Sequence, residues 1–244
     1  MSESMTIALL GQPNSGKSTL FNALTGSRQH VGNWPGKTVE KCTGSFKLAD
    51  KKIKVVDLPG TYSLAANSDE EIVTRDYIAS KEAELVCILA DASQLERSLF
   101  MLADYNGIRV PAVLLLNMMD VADQQGKHIA ADRIESKLGI PVLPFVASDQ
   151  KSYARFYDML NRAATDRDMV SDKTLVSLYE EEFGESYQKI TGLLPENGIS
   201  VYERSWLFAK LIEHDPVAEE IVRDVIGASA YEEMDRLREG IENG

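Results

Sequence analysis

Gly11-Gln12-Pro13-Asn14-Ser15-Gly16-Lys17-Ser18 follows the apolar run Ile7-Ala8-Leu9-Leu10 and precedes Leu20, Phe21 and Leu24, spaced as on one face of a helix. Strand, glycine loop and helix in that order are the setting in which GxxxxGKS holds phosphate. Gly11 and Gly16 let backbone N–H groups turn inward around phosphate oxygens, and the start of the following helix adds partial positive charge. In this reading Lys17 reaches the β- and γ-phosphates and Ser18 sets its hydroxyl on Mg2+. Ser15 and Thr19, in the same stretch, join the nucleotide-binding set. A chance glycine turn is the alternative, and a strand and helix in register argue against it.

Four further sites follow in an order that suits a nucleotide switch. Arg28 to Gly36 reads as a loop, dense in glycine and with Pro35, suited to changing shape. Thr38, just after it, is placed to give its hydroxyl to Mg2+ and its N–H to a γ-phosphate, although a threonine starting a strand is common. Asp57-Leu58-Pro59-Gly60 breaks a strand: Asp57 would hold Mg2+ through water and the Gly60 N–H would sense the γ-phosphate. Asn117-Met118-Met119-Asp120 ends an apolar strand, and a carboxylate at Asp120 accepts two parallel hydrogen bonds from guanine N1–H and its 2-amino group. A turn that spends Asn and Asp on its own backbone is the alternative there. Phe145-Val146-Ala147-Ser148 closes the last strand, where the N–H of Ala147 or Ser148 would donate to guanine O6.

Around these motifs, apolar runs alternate with helical patterns. Strands are expected at 5–10, 38–46, 51–56, 85–90, 112–116 and 141–146. Helices are expected from the phosphate loop to Thr25, from Ser68 to about Ser80, and at 98–106, 129–138 and 152–164. That alternation means a mostly parallel sheet with helices on both faces. After about Asp166 the pattern is helical only, at 175–194, 202–213, 217–226 and 231–241.

The chain has 244 residues, 44% hydrophobic and 26% charged, enough for one large or two smaller domains. A net charge of −12 argues against a protein that grips nucleic acid or docks on an anionic membrane through a basic surface. Cys42 and Cys87 lack C-x-x-C spacing and read as reduced thiols of a cytosolic protein. No signal peptide or transmembrane-length apolar run is expected. His30, His128 and His214 are dispersed, so no iron site is expected here, and Glu180-Glu181-Glu182 reads as a solvated helix face.

Taken together, these motifs resemble the translation-factor-related GTPases. Gly11 to Asn22 is similar to the GxPNxGKSTLFN of that group. Val31-Gly32-Asn33-Trp34-Pro35-Gly36-Lys37-Thr38-Val39-Glu40 resembles the switch segment of the FeoB-type bacterial ferrous-iron transporters, as do 57–64, 91–97 and 117–120. The resemblance spans residues 5 to about 165. It implies a Ras-like P-loop GTPase fold over 1–166, its mostly parallel sheet having one antiparallel edge strand. A small all-helical domain over 167–244 would follow and slow GDP release. It implies a slow GTPase with Lys17, Thr38, Gly60 and Asn14 as catalytic residues, with Gly36 near the nucleotide, and a role in regulating ferrous iron transport. It further implies a place at the cytoplasmic face of the bacterial inner membrane. The implied partners are the permease portion of the same natural chain and small accessory proteins of the iron transport system, with no nucleic acid.

In related potassium-stimulated GTPases the asparagine matching Asn14 helps bind K+ at the β,γ-phosphates, closed by loop carbonyls here matching Gly32 to Trp34. A monovalent cation there neutralises transition-state charge. A backbone-capping role is the alternative for Asn14. Trp34 is expected as an exposed residue shielding the nucleotide, with a packing anchor as the alternative. Three departures matter. Thr61 replaces the water-orienting glutamine found in many GTPases. Met118 replaces the lysine of NKxD. Ala147-Ser148 inverts the usual Ser-Ala, so some ATP use is expected. Arg28 and Arg97 read as surface charges rather than arginine fingers. Two rivals remain: an RNA-linked assembly GTPase, disfavoured by the charge, and a module that senses GTP without hydrolysing it.

Overall fold

The continuous apolar runs become the middle of a seven-stranded sheet. The strands are β1 (Ser4–Gly11), β2 (Gln29–Asn33), β3 (Glu40–Leu48), β4 (Lys51–Asp57), β5 (Leu85–Asp91), β6 (Ala112–Asn117) and β7 (Val142–Pro144). Their spatial order is β2-β3-β4-β1-β5-β6-β7, and β3 alone runs against the rest. The computed structural model describes residues 4–26 and 28–242. It divides into two compact units, one running to Ala103 with Val110–Met169, the other Asp104–Arg109 with Val170 onward.

In the first unit, one sheet face is covered by α1 (Lys17–Thr25) and α6 (Lys151–Asp166). Leu20, Phe21, Phe156 and Leu160 pack there on Ile7, Leu9, Val55, Cys87, Leu89, Val113 and Leu115. The alternate residues Leu10, Val56, Val86, Ile88, Leu114 and Leu116 are as buried, so both faces of the centre are covered, which is why these strands show no polar alternation. Ser68 caps α2 (Asp69–Ala79), its hydroxyl accepting from the Glu71 N–H, as the acidic first turn predicts. Helix α3 (Leu95–Tyr105) follows β5, and α5 (Ala131–Leu138) stops at Gly139.

In this unit the structure corrects two expectations of secondary structure. The segment expected as loop contains β2, whose Gln29–Asn33 pairs with Gly44–Glu40 of β3, so the antiparallel strand has a further neighbour on its outer side. A six-residue helix, α4 (Met119–Gln124), starts inside the Asn117–Asp120 motif.

The second unit holds α7 (Lys173–Gly192), α8 (Arg204–Ile212), α9 (Pro216–Ile226) and α10 (Ala228–Glu242). Helix α7 is broken at Gly184 (φ 49°, ψ −122°), where one continuous helix was expected. Its aromatic centre sets the Phe208 ring edge-on to Tyr187 at 4.8 Å, and Tyr202 stacks on Trp206 at 4.0 Å. Residues 104–109 fold with these helices, a feature the sequence pattern does not announce. Trp206 Nε1 donates to the Asp104 carbonyl (2.8 Å), Arg109 N to Val201 O (2.7 Å) and Glu203 N to Gly107 O (2.8 Å). Lys210, buried, bridges the carboxylates of Asp104 and Glu213 at 2.7 Å each.

Candidate nucleotide site

The carboxyl ends of β1, β4 and β6 carry the chemistry, where ligands gather in parallel α/β sheets. β1 runs into the glycine loop, which turns through left-handed residues Asn14 (φ 67°) and Gly16 (φ 88°) before α1 begins at Lys17. Gly16 is required twice over: by its positive φ, and because a Cβ there would sit 2.1 Å from Asn117 Nδ2. The loop encloses a cavity of ≈ 590 Å3, lined by Gln12 to Asn14, Gly16 to Thr19, Gly60 and Met118. Gly60 approaches closely, a Cβ on it lying 3.3 Å from Pro13 N. Loop N–H groups, the first turn of α1 and an ammonium group thus meet around one polar hollow, an arrangement suited to phosphate.

Lys17 bonds Asp57 Oδ1 at 2.5 Å, both side chains nearly buried. Burial pushes the Asp57 carboxyl above its ordinary value, and the Lys17 charge pulls it back in part. Asn117, 2% exposed, ties two loops together. Its Nδ2 donates to the Ser15 carbonyl and its Oδ1 accepts from the Ala147 N–H, each at 2.8 Å. Tyr153 Oη donates to the Ala147 carbonyl at 2.8 Å, and the Val146 N–H donates to Ser152 Oγ at 3.3 Å. Of the two N–H groups expected to face a base, that of Ala147 is therefore engaged by Asn117, leaving Ser148. Met118 takes a left-handed backbone (φ 61°) at the start of α4, and exposed Asp120 lies in that helix's first turn.

The structure gathers Asn14, Gly16, Lys17, Ser18, Thr19, Gly60 and Met118 at the cavity, with Asp57 bonded to Lys17 and Gly11, Ser15, Asn117 and Ala147 behind its wall. It does not bring Thr38, Gly32, Trp34, Gly36, Asp120 or Ser148 there; none of them lines the cavity, and Thr38, Gly36, Asp120 and Ser148 are exposed. Trp34 is not the exposed shield expected: it is 7% exposed. Its ring meets Tyr77 edge-on at 5.2 Å and lies under Lys41 Nζ at 4.1 Å. Its N–H donates to Val39 O (2.9 Å) and its carbonyl accepts from Lys37 N (3.1 Å), so the segment closes as a turn held by its own backbone. Thr61, at the glutamine position, is 3% exposed with its hydroxyl unpartnered, and so is poorly placed to orient water.

Sequence reasoning missed Gln12, whose Nε2 donates to the Arg97 carbonyl at 2.7 Å, and Tyr153, which pins the 145–148 loop. Gln12 fills a free position of the motif and Tyr153 one position of an amphipathic helix, so neither carries a local signal. Among the described residues no cluster of His, Cys, Asp and Glu could hold a metal ion, and no helix is long and apolar enough to cross a membrane.

Residues 5–160 match the family described as Ferrous iron transport protein B. The Fe(2+) transporter FeoB of Escherichia coli K12 is 38% identical over 216 residues, 86% of this chain, and that of Salmonella typhimurium is 37% identical over the same length. The chain spans only 27% of the length of these relatives. Among solved structures, the cytosolic domain of the T. maritima FeoB iron transporter in its GMPPNP form superposes with a TM-score of 0.82 at 30% identity, covering 98% of this chain and 96% of that one. A GDP-bound mutant of the S. thermophilus FeoB G-domain gives 0.81 at 32% identity, covering 98% and 89%. The first unit has the Ras-like G-domain fold of these proteins. The chain belongs to the ferrous iron transport protein B family.

Proposed function

We propose that the first unit binds GTP and GDP and hydrolyses GTP slowly, as a switch that regulates ferrous iron transport by the rest of the natural chain at the cytoplasmic face of the inner membrane. The observation that carries this reading is the cavity at the glycine loop, with Lys17 and Ser18 in its wall and Asn117 locking that loop to the 145–148 loop. Loop N–H groups and Lys17 hold the phosphates, Asp120 and the Ser148 N–H select guanine, and the Gly60 N–H reports the γ-phosphate. Residues that would hold Mg2+ fit: the Ser18 hydroxyl at the cavity and the Asp57 carboxylate bonded to Lys17 offer the hard oxygen donors that ion takes. When bound, it neutralises phosphate charge.

Binding of GTP draws the 32–38 segment off its Trp34 anchor and delivers Thr38 to the phosphates. A potassium site built from Asn14 and the carbonyls of Gly32 and Trp34 is not assembled in this arrangement, since only Asn14 lines the cavity. It forms only if that segment moves. The second unit slows GDP release and passes the nucleotide state toward the permease portion. Single-turnover GTP hydrolysis in potassium against sodium is the test. Faster turnover in potassium, lost in Asn14→Ala, supports the reading. No hydrolysis in either salt would leave a sensor that binds without turnover, the rival that the buried Thr61 favours. GDP release unchanged by loosening of the helical unit would count against the inhibitor role.

A further inference from the structure

We infer that the free edge of β2, with the basic sheet face beside it, docks an extended acidic segment of a partner protein, which adds as an eighth strand. β2 is the terminal strand, hydrogen-bonded on one side to β3 only. Natural sheets blunt such edges with proline, charge or brevity. The opposite edge does so: β7 has three residues, follows Pro141 and contains Pro144. β2 does not. Gln29-His30-Val31-Gly32-Asn33 holds neither proline nor a formally charged residue, and Val31 is 57% exposed.

The face beside this edge has an unusual charge pattern. Residues opposite one another across strands share a face. The register pairs His30 with Thr43, Ser45 with Lys54 and Lys47 with Lys52, and sets β1 Ser4 and Thr6 beside Lys52 and Lys54. This is the face opposite to buried Phe46 and Ile53, and Lys47, Lys52 and Lys54 stand exposed on it. A cavity of ≈ 440 Å3 lies there, bounded by Arg28, His30, Thr43, Ser45, Lys52 and Lys54 among others, with no carboxylate in its lining. Among the described residues, none of Arg28, Lys47, Lys52 and Lys54 is in an ion pair. Lys47 opposite Lys52 is a like-charge cross-strand pair, unfavourable by itself. In a chain of net charge −12 these cations are left without an ion-pair partner among the described residues.

An added strand resolves both features. Its backbone pairs with the unused N–H and C=O groups of β2, and its side chains alternate between faces. On one face carboxylates meet Arg28 and His30, with Lys54 two strands further in adding to the positive field. On the other, apolar residues meet Val31, which lies across from Cys42 at the margin of the core. The occupant is therefore a short segment in which acidic and apolar residues alternate. A bilayer would use the charge but not the backbone edge, and the net charge of the chain opposes an anionic surface.

The test uses the full chain and a fluorescein-labelled hexapeptide of alternating glutamate and valine, read by anisotropy. Saturable binding is expected, weakened about tenfold or more by Lys52→Glu with Lys54→Glu, and equally by N-methylation of alternate peptide amides. Hydrogen exchange at 29–33 should slow on binding. Both lysines are exposed, so the variant keeps its fold, checked by circular dichroism; the methylated peptide tests the edge without touching the protein. Equal binding of the methylated peptide would reduce the site to plain charge attraction and overturn strand addition. Absence of binding at about 1 mM would overturn it as well. So would flotation with phosphatidylserine vesicles that is lost in the lysine variant, or concentration-dependent self-association that protects 29–33 without peptide.

Discussion

Asn117→Ala should damage the protein well beyond the loss of one contact. The side chain is 2% exposed and spans two loops through two bonds of 2.8 Å, to Ser15 O and from Ala147 N. Alanine leaves a buried carbonyl and a buried N–H without partners, each costing about 1–3 kcal/mol. The sum, about 2–6 kcal/mol, corresponds to a melting temperature lower by roughly 4–24 °C at about 2–4 °C per kcal/mol for a unit of this size. Nucleotide affinity should fall too if the glycine loop holds phosphate as proposed, because that loop loses its tie to the 145–148 loop. Asn117→Asp is the informative companion. It keeps an acceptor for the Ala147 N–H but turns a carboxylate oxygen toward the Ser15 carbonyl, so it should be no more stable than alanine at neutral pH and should recover on acidification. Thermal melts followed by circular dichroism, with mant-GDP titrations alongside, give both quantities. A melting temperature within about 1 °C of the parent for Asn117→Ala would refute the reasoning, because two newly unpaired buried groups cannot be that cheap.

Three further expectations follow from the geometry. Asp57 titrates above the ordinary carboxylate value of 3.8 because burial outweighs the Lys17 charge. The native state thus keeps that proton to higher pH than the unfolded chain, and this group's contribution to stability falls as pH rises from 3.8 through the raised native value. Carboxyl carbon NMR should show the raised midpoint and a further rise in Lys17→Ala, and a midpoint at or below the ordinary value would contradict it. In a Trp206→Phe background, a nonhydrolysable GTP analogue with Mg2+ should shift the emission of Trp34 to the red as the ring leaves Tyr77, whereas unchanged emission would show that the anchor holds with nucleotide bound. A fragment ending at residue 169 removes the cover from 104–109, which folds with the second unit through Trp206, Val201 and Glu203. Amide exchange over 104–109 should accelerate at least about tenfold in it, and retained protection would show that this segment belongs with the first unit.

What was legible in the sequence followed from local pattern. Runs such as Leu85–Ala90 and Ala112–Leu116 are apolar without alternation because both of their faces are covered, and that burial writes itself into residue type. Gly16 was legible because its φ and the nearness of Asn117 admit nothing larger. β2 was hidden because its pairing with β3 is a tertiary event, made by residues whose glycine and polar content reads as loop. Trp34 was misplaced for a related reason: its partners Tyr77 and Lys41 lie on other elements, and a motif records that a tryptophan is there without recording which way it faces. Asp104 and Tyr105 complete an amphipathic helix in sequence, and only the fold shows that Gly107 and Arg109 beyond it turn to bond Glu203 and Val201. Thr38 is the instructive case at the site, because the motif singles it out while the structure leaves its side chain exposed and outside the cavity lining.

Equilibrium binding of mant-GDP to the parent chain and to Lys17→Ala tests the central claim most directly. Among the described residues lining the cavity Lys17 is the only cationic side chain, so its removal should weaken binding by about 10- to 100-fold, as loss of a charged contact to phosphate does. Equal affinity of the two proteins would contradict the claim that a guanine nucleotide sits with its phosphates in the loop ending at Lys17.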